Sequence, residues 1–235
     1  MTEIKEILEK TQNQDWQEKL IFIAASYKKV IFSSSFSLED QVITDFIARN
    51  NLPIKIFTLD TGRLPKQIYN VWQSTLDKYK IQIDAFYPQA EPLQNFIKEN
   101  GINPFYESLE MRKSCCFFRK VEPLHRALKG QEIWISGVRK EHSADRGQKD
   151  FFEQDNDLQL IKFYPLLEVS EELLWKYIKE NNVPYNKLYD LGYKSIGCDP
   201  CTRAIGPDED VRAGRWWWER SGVKECGLHS NKITK

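Results

Sequence analysis

The order of its apolar runs constrains this chain most. In KKVIFSSSFSLEDQVITDFIAR a short β-branched and aromatic run, residues 30–32, meets a serine-rich turn and then a helical pattern through Leu38, Val42, Ile43, Phe46 and Ile47. PIKIFTLDTGRLPKQIYNVWQSTLDKY repeats that order: a strand at 54–59, a turn at Asp60–Leu64 and a helix to about 79. IQIDAFYP reads as a third strand and EIWISGVR as a fourth, at 132–136. IKFYPLLE is a fifth strand or an extended connection to a helix at 170–181, and residues 2–27 read as one or two helices. Strands alternating with helices predict an α/β fold, a mostly parallel sheet flanked by helices and joined by right-handed crossovers.

The 235 residues suffice for one domain with a sizeable core, or one with an appendage. Lys+Arg and Asp+Glu number 34 each, so the net charge gives no sign of a nucleic-acid partner. The beginning, MTEIKEILEKTQNQDW, is polar and lacks a signal-peptide core, and no run is apolar enough to span a bilayer, which predicts a cytoplasmic protein with no membrane partner. In that reducing compartment the five cysteines are poor candidates for structural disulfides.

Open α/β sheets bind ligands outside the carboxyl ends of their strands. Three turns therefore matter: Ser33–Asp40, Asp60–Leu64 and Gly137–Arg146. SSSFSLED places hydroxyls and backbone N–H groups at a helix start, where a phosphate or sulfate is favoured, although a plain serine cap would look the same. It lacks the Gly-Lys-Ser/Thr ending of a Walker A loop. SGVRKEHSADR puts Arg139, Lys140 and Arg146 on a loop, either solvated or able to grip an oxyanion.

The cysteines fall as an adjacent pair, Cys115 and Cys116, a C-x-x-C pair, Cys198 and Cys201, and one more, Cys226. Four plus one suggests a four-ligand metal site and a free thiol. Adjacent residues cannot easily form a disulfide, and on a helix they point about 100° apart. They chelate one tetrahedral zinc poorly but can each take a separate iron of a larger cluster, which favours a 4Fe–4S cofactor over zinc. Arg112, Lys113, Arg119, Lys120 and Arg203 would offset its charge. Ser114 is a candidate cap for a short cysteine helix, and Pro123 suits the first turn of another ending near Gly130. In RAGRWWWERSGVKECGLHS three consecutive tryptophans cannot all face one core, and Arg212 and Arg215 share a face if the segment is helical. Lys224 and His229 near Cys226 are surroundings that lower a thiol pKa and make a nucleophile.

LDTGR, RKSCCFFRK, SIGCDPCTRAI, RAGRWWWE and KECGLH together resemble the assimilatory adenylyl-sulfate (APS) reductases, the iron–sulfur members of the APS/PAPS reductase family, over residues 30 to 229. The resemblance implies an adenine nucleotide α-hydrolase-like fold, with a nucleotide-binding α/β domain at 1–205 that includes the cluster site and a C-terminal active-site tail at 206–235. It implies a 4Fe–4S cluster on Cys115, Cys116, Cys198 and Cys201, and Cys226 as nucleophile. Ser34, Ser35, Phe36 and Ser37 would form the nucleotide loop, Leu59 and Gly137 would contact adenosine, and Lys120, Arg146, Arg212, Arg215 and His229 would surround the phosphosulfate. The run RKEHSADR departs from the family's usual RRDQS-x-x-R, so Arg146 is aligned by position.

Reducing a sulfate group to sulfite takes two electrons. If four cysteines hold the cluster, the chain has no spare thiol to resolve an intermediate on Cys226, so thioredoxin or a similar dithiol protein is the expected partner. A homo-oligomer stays open. The same chemistry on 3′-phosphoadenylyl sulfate (PAPS), or on both nucleotides, is the near alternative, disfavoured because PAPS-specific members typically lack the four-cysteine set. A zinc-stapled nucleic-acid-binding module, with the Trp and Arg tail as a stacking surface, is the alternative from another class. An ATP pyrophosphatase would want a glycine-rich loop that SSSFSLED does not provide.

Overall fold

The computed structural model describes residues 2–142 and 149–219. The chain divides into two units. The first holds residues 1–58, 66–84 and 130–187, and the second residues 59–65, 85–129 and 188–235.

The first unit opens with two helices, α1 (Thr2–Thr11) and α2 (Trp16–Ser26). Asp15 caps α2, accepting from the N–H groups of Gln17 and Glu18, while Glu18 reaches back to the Asp15 amide. Strand β1 (Val30–Ser33) leads to α3 (Leu38–Arg49), β2 (Lys55–Leu59) to α4 (Lys66–Tyr79), and β3 is the short Asp84–Phe86. After the excursion through the second unit come β4 (Ile133–Ser136), β5 (Phe152–Asp155), β6 (Leu160–Phe163) and α8 (Glu171–Glu180). Helices α5 (Ala90–Asn100), α6 (Leu109–Cys116) and α7 (Glu122–Leu128) belong to the second unit.

The sheet order is β3-β2-β1-β4-β6-β5. β1 lies parallel to both β2 and β4, and β4 is parallel to β6. Strands buried on both faces need unbroken apolar runs, and Phe32, Phe57, Ile133, Ile135 and Phe163 are fully buried. From β1 the chain winds outward to β3, then returns to the opposite side of β1 to lay down β4. That reversal makes the β1/β4 boundary the topological switch point, where open sheets of this kind take their ligands. Ser33 pairs with Ser136 there, so the serine turn and Gly137 leave the sheet side by side.

Two strands differ from the sequence reading. IQIDAFYP contributes only Asp84–Phe86 as strand. β5, hidden in the polar run FEQD, pairs antiparallel with β6. Its polar appearance has a physical cause: Asp155 binds Lys162 at 2.7 Å, and Lys162 is 1% exposed over the Trp134 ring. Among the described residues no helix is long and apolar enough to cross a membrane.

Candidate functional site

In the second unit the cysteine helix α6 (Leu109–Cys116) starts earlier than expected. Ser108, with extended backbone, accepts from the Met111 N–H at 3.2 Å, so Ser108 is the cap and Ser114 lies inside the helix. α6 runs without a break into a π-helical segment, Phe117–Val121, and then α7 (Glu122–Leu128) with Pro123 in its first turn. Residues 115, 116, 119 and 120 would spread over about 140° of an ordinary helix surface. The wider π turn narrows that arc, and all four line one cavity.

The C-x-x-C pair reaches the same cavity on a tight turn, Asp199–Cys201. The Cys201 N–H donates to the Cys198 carbonyl, and the Thr202 hydroxyl donates to that carbonyl as well. The Asp199 N–H donates to the Arg63 carbonyl at 2.8 Å, tying this turn to LDTGR. A Cβ on Gly197 would fall 2.3 Å from an Arg215 guanidinium nitrogen, so glycine is what lets Arg215 in. The four buried thiols share the cavity wall with Arg63, Arg112, Arg119, Lys120 and Arg215. Cys115, Cys198 and Cys201 pack with Phe96, Phe105 and Trp216. Among the described residues, no three His, Cys, Asp or Glu side chains gather around one metal-ion position.

The wall is rich in positive charge and unspent donors. Burial pushes the Cys115 thiol up against the pull of Arg119, and burial with the neighbouring Cys198 charge pushes Cys201 up to about 11. Burial opposes ionisation of Cys198 too, but Lys120, the Thr61 hydroxyl at 3.3 Å, Arg215 and Arg119 hold it below the ordinary thiol value. Arg119 Nη1 donates to the Thr61 carbonyl at 2.7 Å. Its Nε, Arg215 Nε and Trp216 Nε1 are buried without an acceptor among the described residues.

The WWW run separates as its adjacency required: Trp216 is 1% exposed, Trp217 48%, and Trp218 lies edge-on to Tyr106 at 4.5 Å. Residues 211–214 form turns, not a helix; the Arg215 N–H donates to the Arg212 carbonyl, and Arg212 is half-buried there.

In the first unit the serine turn is self-organised. The Ser34 N–H extends the ladder to the Phe57 carbonyl, and the Ser34 hydroxyl accepts from the Phe36 N–H. Phe36 takes a left-handed backbone, φ 59°, and buries its ring against Trp72. Ser37 caps α3, accepting from the Asp40 N–H at 3.2 Å. Asp40 Oδ2 accepts from both the N–H and the hydroxyl of Ser35, each at 2.7 Å. A Cβ on Gly137 would fall 2.3 Å from Asp40 Oδ1 and 2.9 Å from Glu39 Cβ, so only glycine fits beside this acidic pair. Arg139 is buried and engaged: Nε donates to Glu39 at 2.7 Å and Nη1 to Glu141, while Lys140 pairs with Glu168. The sequence left Arg139 and Lys140 open between a solvated loop and a grip on an oxyanion; the structure commits both to carboxylates. Leu59 ends β2 and is half-buried. Arg146, Cys226 and His229 lie outside the described residues.

Asp40 yields a pH prediction. Burial, with the Glu39 charge adding, outweighs the Ser35 hydrogen bonds and pushes its carboxyl up to about 6. The folded protein therefore holds the proton more tightly than the unfolded chain between about pH 4 and 6, so this group's contribution to stability falls as pH rises through that window. Asp40→Asn is expected to remove that loss, about 3 kcal/mol in wild type. Chemical unfolding from pH 4 to 7 measures it, and equal profiles for the two proteins would refute it.

Residues 29–204 match the model of the phosphoadenosine phosphosulfate reductase domain. The chain belongs to that family. Within the phosphoadenosine phosphosulfate reductase family, it is 46% identical over 212 residues to the adenosine 5′-phosphosulfate reductase of Burkholderia cepacia, covering 90% of this chain and 85% of that one. The adenosine 5′-phosphosulfate reductase of Neisseria meningitidis is 46% identical over 224 residues, 95% of this chain and 91% of the relative. Among solved structures, a phosphoadenylyl-sulfate (PAPS) reductase from Candida auris, in a phosphate complex, superposes with a TM-score of 0.72 at 28% identity, covering 86% of this chain and 96% of that one. Candida glabrata FMN adenylyltransferase, in complex with FAD and inorganic pyrophosphate, shares the fold alone: TM-score 0.53, 14% identity, 97% of this chain and 78% of that one. The α/β fold with a mostly parallel, helix-flanked sheet of the adenine nucleotide α-hydrolase type is the one the sequence predicts.

Proposed function

We propose that this protein is an oxidoreductase that reduces adenylyl sulfate to sulfite and AMP in sulfate assimilation, through an S-sulfo intermediate on Cys226 resolved by thioredoxin or a similar cytoplasmic dithiol protein. The observation that carries the reading is the gathering of Cys115, Cys116, Cys198 and Cys201 on one cation-rich cavity, in a chain this similar to adenosine 5′-phosphosulfate reductases.

A 4Fe–4S cluster fits that cavity. Four thiols from two segments of the chain would supply one ligand per iron, and the buried donors of Arg119, Arg215 and Trp216 suit an anionic group. When bound, it supplies negative charge and sulfur acceptors that hold Lys120 in place and tune the field around the substrate.

The chain's own residues do the rest. The Ser34–Ser37 turn and the start of α3 offer N–H groups to the nucleotide, with Leu59 and Gly137 against adenosine. Lys120, Arg146, Arg212, Arg215 and His229 offset charge on the phosphosulfate. The Cys226 thiolate attacks the sulfuryl sulfur; the O–S bond breaks, AMP leaves with the oxygen, and Cys–S–SO3⁻ forms. A thiolate of the dithiol protein then attacks Cys226 Sγ, sulfite departs with the S–S bonding pair, and the second thiol frees Cys226 as the partner becomes a disulfide. The two electrons come from the dithiol.

Turnover of APS and PAPS with reduced thioredoxin tests the reading. Sulfite should form from APS with kcat/KM about tenfold or more above PAPS; a strong preference for PAPS would overturn the choice of nucleotide.

A further inference from the structure

Arg112 sits on α6, three residues before Cys115, and is 1% exposed. Its Nε donates to Glu219 Oε1 at 2.7 Å and its Nη2 to Oε2 at 3.2 Å, while the guanidinium covers the Trp216 ring at 4.3 Å. Trp216 has a left-handed backbone, φ 43°, uncommon for so bulky a residue. Its N–H donates to the Cys201 carbonyl, and the Glu219 N–H donates back to the Trp216 carbonyl at 2.9 Å, closing a turn. The cysteine helix, the C-x-x-C turn and the RWWWE turn are thus stapled at one point.

A buried ion pair is weak support for stability, since apolar residues of similar volume often hold a core as well. What a two-pronged guanidinium–carboxylate contact adds is direction, because it fixes the position and the rotation of Glu219 together. Glu219 precedes Cys226 by seven residues, a tether of about 25 Å at full extension. Fixing Glu219 therefore bounds how far from this point the Cys226 thiol can lie, which raises its effective concentration at a substrate bound within that reach.

We infer that Arg112 and Glu219 form a lock that sets where the Cys226-bearing segment departs, which makes both positioning residues for the nucleophile. The inference rests on Cys226 being that nucleophile. Because Arg112 also lines the cysteine cavity, its test separates aiming from support of the cavity wall. Glu219→Gln, Arg112→Gln and the conservative Glu219→Asp are compared with wild type for iron content, visible absorption, APS affinity, kcat, and S-sulfocysteine formed in a single turnover. Glu219→Gln should keep its iron and its APS affinity while kcat and S-sulfocysteine formation fall on the order of 10²-fold, and Glu219→Asp, which keeps the carboxylate, should recover activity over Glu219→Gln. Wild-type kcat in Glu219→Gln, or iron lost in step with activity, would overturn the lock. A wild-type protein that forms no S-sulfocysteine from APS would sink the functional reading itself, and this inference with it, before any variant is compared.

Discussion

Cys226→Ser is expected to abolish sulfite formation from APS while iron content and the visible absorption of thiolate-bound iron stay at wild-type levels. The chain has five cysteines, and four of them line the cation-rich cavity of the second unit. On the proposed reading, with those four holding the cluster, the fifth is the thiol left to attack the substrate, so its removal leaves no substitute. Serine fails twice. Its hydroxyl is not ionised near neutral pH, which removes the nucleophile. Even a sulfated serine would carry its sulfur through oxygen, with no S–S bond for an incoming thiol to cleave to sulfite. The expected drop in kcat is on the order of 10⁵-fold or more, as for other lost nucleophiles. The measurement is sulfite release with reduced thioredoxin, beside iron and acid-labile sulfide analysis of the same preparation. Residual sulfite above that level, or loss of colour in the variant, would show that the thiols divide differently between cluster and catalysis.

Much of the fold was legible because parallel strands buried on two faces must be written as unbroken apolar runs. VIF, KIFTL and IWIS announce themselves in that way. β5 did not, since its inward Asp155 is matched to a buried Lys162, a pairing that only the folded hairpin reveals. The helix α5 (Ala90–Asn100) escaped for a similar reason: Phe96 is its one fully buried residue, so its apolar stripe is thin. The gathering of Cys115, Cys116, Cys198 and Cys201 on one cavity was legible in the cysteine spacing, an adjacent pair and a C-x-x-C pair. The supporting residues were not. Glu39 and Asp40 look like ordinary first-turn acids of a helix, yet they set the shape of the serine turn and make Gly137 obligatory. Arg139 looks like an anion ligand and is instead a strut to Glu39. Arg112 and Glu219 are 107 positions apart, and no local pattern joins them.

Charge in this protein is therefore divided between two uses that composition cannot separate. In the first unit the cations of the turn after β4 are met by carboxylates: Arg139 by Glu39 and Glu141, Lys140 by Glu168. Around the thiols, Arg119 and Arg215 each keep a buried nitrogen without an acceptor among the described residues. Buried unsatisfied donors cost stability unless something is built to use them, and that imbalance supports the anionic group proposed for the cysteine cavity.

Cys115→Ala follows from the same imbalance and should lose most of its iron. Cys115 is buried among Phe96, Phe105, Cys198, Cys201 and Trp216, and burial pushes its thiol pKa up. A methyl group in its place leaves three thiols for four irons and opens a gap in a closely packed apolar cluster. The cost has two parts: lost ligation, and stranding of the Arg119 and Lys120 charges beside a cavity with less negative charge to offset them. The variant should therefore be pale, low in acid-labile sulfide, inactive on APS, and lower in its thermal unfolding midpoint than wild type. Cys226→Ser, which leaves the cavity wall intact, should keep the wild-type midpoint, so the two variants separate the cluster from the nucleophile. A Cys115→Ala protein that is fully loaded with iron and active would refute Cys115 as a ligand. A wild-type protein that binds zinc tightly and stays colourless even when isolated without oxygen would point to a stapled binding module in place of a reductase.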